Sequence, residues 1–189
     1  NNCDGTADNN ISNMLEGASV NDTCAQATAL APDVEEGETV NIVGQMYKGD
    51  LTNDVDYFKF NIMEFSDLDC AIHWGWSECH EYEFEVTDDA GLPLEFDVIF
   101  TNLVYDDVAS DRLAMCVAAA SVDTWSSVNG YADVKLAGDC LTDMDWEVYL
   151  KVYSDSSTEK YSCENYNIQV TVYDAAPFDG ECDSSYIPY

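Results

Sequence analysis

Asp50, Asn53, Asp54 and Asp56 put four oxygen-bearing side chains within seven residues, at a turn that leads into a strand. A hard cation such as Ca²⁺ takes about 6–8 oxygens from carboxylates, amides and backbone carbonyls. Calcium is therefore the cofactor this cluster suggests. Asp139, Asp143 and Asp145 form a second set, and Asp106, Asp107 and Asp111 a third. None has EF-hand spacing, and the plain alternative is a solvated acidic loop. His73, Glu78 and His80 lie close to Cys70, Cys79, Trp74 and Trp76, but their spacing is not that of a zinc site. Ordinary packing is the simpler reading. No Gly-x-Ser-x-Gly nucleophile elbow occurs. With 38 Asp and Glu in the chain, two nearby carboxylates do not mark a glycosidase. The expectation is a protein that is not an enzyme.

The eight cysteines Cys3, Cys24, Cys70, Cys79, Cys116, Cys140, Cys163 and Cys182 are scattered, with no Cys-x-x-Cys pair. Scattered cysteines in even number read as disulfides, and so as an oxidising, extracellular compartment. Spacing does not choose the connectivity. Sequential pairing (Cys3–Cys24, Cys70–Cys79, Cys116–Cys140, Cys163–Cys182) is one possibility, each bridge contributing about 2–4 kcal/mol. Asn10-Ile11-Ser12 and Asn21-Asp22-Thr23 are N-glycosylation sequons, which also arise by chance. The opening Asn1-Asn2-Cys3-Asp4 reads as a mature N-terminus of a secreted or cell-surface protein. No apolar run approaches the ~20 residues of a membrane span, so membrane insertion is not expected.

Charge narrows the partners. The 189 residues carry 38 acidic against 6 basic side chains, a formal net charge of −32. Phosphate recognition needs a basic face that releases counterions, so nucleic acid is excluded as an expected partner. An anionic membrane surface is disfavoured for the same reason. Yet 47% of the residues are hydrophobic and 12% aromatic, too apolar for a disordered acidic chain.

The elements that would position these residues follow from period-two alternation, the strand signature. Phe58, Phe60 and Ile62 alternate with Tyr57, Lys59 and Asn61. Tyr82, Phe84 and Val86 alternate with Glu81, Glu83 and Glu85. Trp146, Val148, Leu150 and Val152 alternate with Glu147, Tyr149, Lys151 and Tyr153. Tyr166, Ile168, Val170 and Val172 alternate with Asn167, Gln169, Thr171 and Tyr173. One face is core and one is wet, as in antiparallel sheets. Further strands are expected at 39–47, 69–74, 94–103, 112–119 and 131–136, giving about nine. Turns fall at Lys48-Gly49-Asp50, Asp88-Asp89-Ala90-Gly91, Asn129-Gly130, Ala137-Gly138-Asp139 and 154–158. A short helical segment is suggested only at 24–30. The fold class is all-β, an antiparallel, disulfide-stapled β-sandwich or barrel, the uneven strands and loops favouring the sandwich. Residues 1–22 form an N-terminal arm, 23–175 the sandwich and 176–189 a C-terminal tail. Tyr149, Tyr153 and Tyr173 occupy polar faces, where they could stack on sugars or anchor a partner. The simpler alternative is that other chain segments cover them.

Three stretches run in a familiar order: Thr23-Cys24-Ala25-Gln26-Ala27-Thr28-Ala29-Leu30, then Glu36-Gly37-Glu38-Thr39-Val40, then Asn53-Asp54-Val55-Asp56-Tyr57-Phe58-Lys59-Phe60. Together they resemble the bacterial pre-peptidase C-terminal (PPC) domain, a jelly-roll-like sandwich often appended to secreted peptidases. The family's Asp-x-Asp-Tyr-Phe-x-Phe strand is matched at 54–60. Residues 82–91, 146–153 and 166–173 look like its later strands. The resemblance implies an accessory module for carbohydrate or protein, and calcium near acidic stretches. The chain departs from it in extra material near 68–80 and 105–140 and in its many cysteines.

Two functions stand out. One is a secreted, non-catalytic structural protein, a subunit of an extracellular filament or surface assembly. Its partners would be copies of itself, joined by arm or strand exchange and calcium. The other is a PPC-like accessory binding module, with glycans among its possible partners. A charge of −32 opposes self-association, so assembly would need bound cations, strand exchange or both.

Overall fold

The computed structural model describes residues 14–15, 23–30, 33–46, 55–63, 77–100, 124–139, 146–154, 164–174 and 176–177. The strands among them are β1 (Met14–Leu15), β2 (Thr28–Ala29), β3 (Val34–Glu35), β4 (Thr39–Gly44), β5 (Val55–Met63), β6 (Ser77–Asp88), β7 (Leu94–Phe100), β8 (Thr124–Ser126), β9 (Tyr131–Asp139), β10 (Trp146–Ser154), β11 (Tyr166–Val172) and β12 (Ala176–Pro177). The helical segment expected at 24–30 is a 3₁₀ turn, Cys24–Gln26, which passes directly into β2. Seven of the nine expected strands are present; those at 69–74 and 112–119 lie outside the described residues. The strand expected at 39–47 stops at Gly44; of that expected at 94–103, Leu94–Phe100 is strand and 101–103 lie outside the described residues.

Two sheets form. The first orders its longer strands β4-β11-β6-β9 and the second β5-β10-β7-β8, with every one of these neighbours antiparallel. Numbered along the chain from β4 to β11, the orders are 1-8-3-6 and 2-7-4-5, the arrangement of an eight-stranded jelly roll. Short strands extend the edges. β1, from the arm, runs parallel to β4, pairing Met14 with Ile42 and Leu15 with Val43. β2 and β3 run parallel to β5. β12, from the tail, pairs with the start of β6.

The alternation read in the sequence decides what lies between the sheets. Ile42, Tyr82, Phe84, Val134, Leu136, Ile168 and Val170 of the first sheet share one buried cluster with Phe58, Phe60, Ile62, Phe96, Val98, Phe100, Val148 and Leu150 of the second. Fully burying one such side chain contributes about 1.5–3 kcal/mol. Aromatic rings lock the layers. Phe100 stands 5.3 Å from Tyr82 across the interface and edge-on to Trp146 (5.9 Å) and Trp125 (5.4 Å).

Side-chain oxygens shape the turns. Between β6 and β7, Ala90 takes a φ of 54° and Gly91 a φ of 76°. A left-handed alanine costs about 1–2 kcal/mol. Asp88 Oδ1 offsets it by accepting from the Ala90 N–H (3.0 Å), and Asp89 Oδ1 accepts from that of Gly91 (2.8 Å). The Asn129-Gly130 turn has φ values of 55° and 71°, the hairpin geometry this dipeptide favours. The Glu95 carboxylate of β7 accepts from the Asn129 N–H (3.1 Å), the Gly130 N–H (3.3 Å) and Ser127 Oγ (2.5 Å). That ties the corner where the chain crosses between sheets.

Gly44 ends β4 opposite Tyr166, whose ring fills the space a β-carbon would take. Gly44→Ala is expected to push the Tyr166 ring aside and to destabilise the fold by about 1–3 kcal/mol, the usual cost of overpacking. Urea unfolding of the variant checks this.

Candidate functional site

Among the described residues, the polar side chains Asp56, His80 and Ser154 are buried on the inner faces. Asp56 is the second residue of β5 and has the parity of Phe58, Phe60 and Ile62, so its carboxyl turns inward. There Tyr166 of the opposite sheet donates its phenol hydrogen to Asp56 Oδ2 at 2.6 Å. The bond joins the sheets at one end of the sandwich. His80 lies on the inner face of β6, opposite Leu136 and 1% exposed. It is a packed strand residue. His73 lies outside the described residues, and so does the Glu78 side chain.

Of the expected calcium residues, Asp50, Asn53 and Asp54 lie outside the described residues, and Asp56 is the buried carboxylate just described. Asp139 ends β9, with its side chain outside the described residues, as are Asp143, Asp145, Asp106, Asp107 and Asp111. Among the described residues no three His, Cys, Asp or Glu side chains gather as a metal-binding group. The two described cysteines, Cys24 and Cys79, are both disulfide-bonded. Cys3, Cys70, Cys116, Cys140, Cys163 and Cys182 lie outside the described residues, and so do Asn10 and Asn21.

The outer faces of the two sheets differ. On the second, Tyr149 is 2% exposed and Tyr57 is 6% exposed, both packed with Cys24, Ala27, Val55 and Ile99. The segment around Cys24 thus covers a tyrosine that the alternation had put on a wet face. Around this patch, Lys59 pairs with Glu147 and stands 5.5 Å from the Tyr149 ring centroid. Lys151 pairs with Asp97 at 2.9 Å and stands 4.8 Å from the Tyr153 ring. Burial, followed by the Glu147 charge, pushes the Tyr149 phenol up. For Lys59 burial pulls downward, but the Glu147 hydrogen bond and charge, with Tyr149, carry the ammonium above its ordinary value.

The first sheet buries Val43 on its outer face but leaves that face exposed at Glu85, Tyr131, Asp133 and Tyr173. Glu81, Glu83 and Glu85 of β6 stand beside Lys135, Asp133 and Tyr131 of β9. Tyr173, just past β11, gives its N–H to the Glu81 carbonyl at 3.0 Å and its phenol hydrogen to Glu83. That phenol is pushed up to about 12, first by the Glu83 hydrogen bond and then by burial and by the Glu83 and Glu81 charges. Tyr131 is also raised, by burial first and then by Glu83 and Asp133. Both rings are exposed, and both phenols keep their protons at neutral pH. Tyr131 escaped notice in the sequence, although its alternation with Ala132, Val134 and Leu136 puts it on a wet face.

Fold and faces together define a two-sheet, all-β domain with one largely covered outer surface and one with two exposed tyrosine rings. No protein-family model and no curated protein matches the chain. Among solved structures, it is similar to the pre-peptidase C-terminal domain of a collagenase from Bacillus anthracis, the family that the residues at 23–173 resemble. The likeness covers 77% of this chain and 93% of that one, at 11% identity and a TM-score of 0.33. Nothing about binding or activity passes across a likeness of that size.

Tyr166→Phe removes the donor from a buried carboxylate. The expected loss is about 1–3 kcal/mol in chemical denaturation, whereas exposed Tyr173→Phe changes stability by no more than about 0.5 kcal/mol. The Tyr173 phenol is raised from 10.0 to about 12 in the folded protein, so its contribution to stability is complete below pH 10 and lost as pH rises through about 12. Glu83→Gln is expected to bring the titration back toward 10.0, read by phenolate absorbance.

Proposed function

We propose that this chain is a secreted, non-catalytic structural protein that assembles with copies of itself, its N-terminal arm adding a strand to a neighbour's sheet. The observation that carries the reading is the pairing of Met14 and Leu15 with Ile42 and Val43 at the β4 edge. The arm is already an edge strand, and exchanging an identical element between copies is a low-cost route to association. Main-chain hydrogen bonds supply affinity without opposite charges, which suits a chain at −32. The disulfides at Cys24 and Cys79 fit an oxidising, extracellular setting, within a four-bridge framework. Calcium held by Asp50, Asn53 and Asp54 would offset repulsion between copies. Asp56 would add to that set only from inside, since one of its oxygens serves Tyr166. No helix among the described residues is long and apolar enough to cross a membrane.

Light scattering after size exclusion tests the reading. The full chain with calcium is expected to run as oligomers or filaments. Removing residues 1–22, or placing proline at Leu15, is expected to return it to monomer, and chelator to loosen it. A full chain that stays monomeric at high concentration with calcium present contradicts the assembly reading.

A further inference from the structure

Among the described residues the exposed large apolar side chains are Val128 at 71%, Tyr131 at 43% and Tyr173 at 41%. Tyr131 and Tyr173 fall on the outer face of the first sheet, and Val128 lies in the turn that leads into β9. The Val128 N–H donates to the Tyr131 carbonyl at 2.8 Å across the Asn129-Gly130 turn. Val128 and Tyr131 therefore flank the turn as neighbours. Tyr131 sits opposite Glu85, and Tyr173 lies against Glu81. Their Cα atoms are two strand steps of about 4.8 Å and four residues of about 3.3 Å apart, or roughly 16 Å. Both phenols meet Glu83, between them. The rings are thereby fixed before any partner arrives, which lowers the entropy cost of binding.

Charge selects the occupant. Glu81, Glu83, Glu85 and Asp133 border the rings, and Lys135 beside them is taken up by Glu81 (3.4 Å) and Asp133 (3.8 Å). An acidic rim around exposed rings and an aliphatic side chain complements a partner that is basic and apolar at once. A second copy of this chain brings the same −32 and would set acid against acid. We propose that this face docks a polypeptide segment in which basic and apolar side chains are interspersed, with Val128, Tyr131 and Tyr173 as its anchors. The site is independent of the arm pairing at β4.

Fluorescence anisotropy with the full chain tests it, using three probes: a short peptide of alternating lysine and leucine, oligolysine of equal charge, and a neutral glucan oligosaccharide. The alternating peptide is expected to bind about tenfold tighter than oligolysine, the scale of a few buried anchors. The Tyr131→Ser/Tyr173→Ser double variant is expected to lose that margin while still unfolding cooperatively. Val128→Ser, at a position 71% exposed, is expected to reduce the margin and serves if the double variant folds poorly. Equal binding of the two peptides, a margin that survives these substitutions, or binding of the glucan through the same tyrosines would overturn the proposal.

Discussion

With 38 acidic residues against 6 basic, this fold depends on keeping carboxylates out of the layer its two sheets share. A bare carboxylate there costs several kcal/mol, more than a typical side chain returns on burial. The strands meet the constraint by alternation, so that Glu81, Glu83 and Glu85 point outward as Tyr82 and Phe84 point in. Among the described residues Asp56 is the one buried acid, and Tyr166 reaches it from the facing sheet. Gly44 leaves room for that ring. The bond thus depends on a glycine, a tyrosine and an aspartate drawn from β4, β11 and β5.

Keeping acids off the inner faces loads the outer ones, and the two sheets handle the load differently. The second spends Lys59 and Lys151 on Glu147 and Asp97, and roofs Tyr57 and Tyr149 with the segment around Cys24. Its outer surface becomes a second, smaller core. The first sheet has Lys135 beside Glu81 and Asp133 and leaves two tyrosine rings in solvent. The asymmetry gives the domain one largely covered outer surface and one with two exposed tyrosine rings.

The sheets were legible in the sequence because period two is a backbone property and each strand shows it locally. The Asn129-Gly130 and Asp88–Gly91 turns were legible because left-handed backbone selects those residues. The pairing order was not, since 1-8-3-6 and 2-7-4-5 join residues more than a hundred apart, as Ile42 and Ile168 show. Asp56 illustrates a subtler limit. Grouped with Asp50, Asn53 and Asp54 it looked like a cation ligand, yet its parity with Phe58 and Phe60 already pointed inward. Tyr149 shows the reverse: its parity alone said wet, and the simpler reading, that another chain segment covers it, holds through the segment around Cys24. Short strands such as β1 and β12 have too few residues for any period to register.

On the assembly proposed, a chain this acidic joins copies of itself through contacts that do not depend on opposite charge, with cations offsetting the repulsion, and main-chain pairing at the β4 edge is such a contact. Cryo-electron microscopy of the full chain prepared with calcium tests that claim most directly. The account predicts ordered assemblies in which Met14 and Leu15 of one subunit lie beside Ile42 and Val43 of the next. Isolated particles, each with its arm on its own β4, would contradict it.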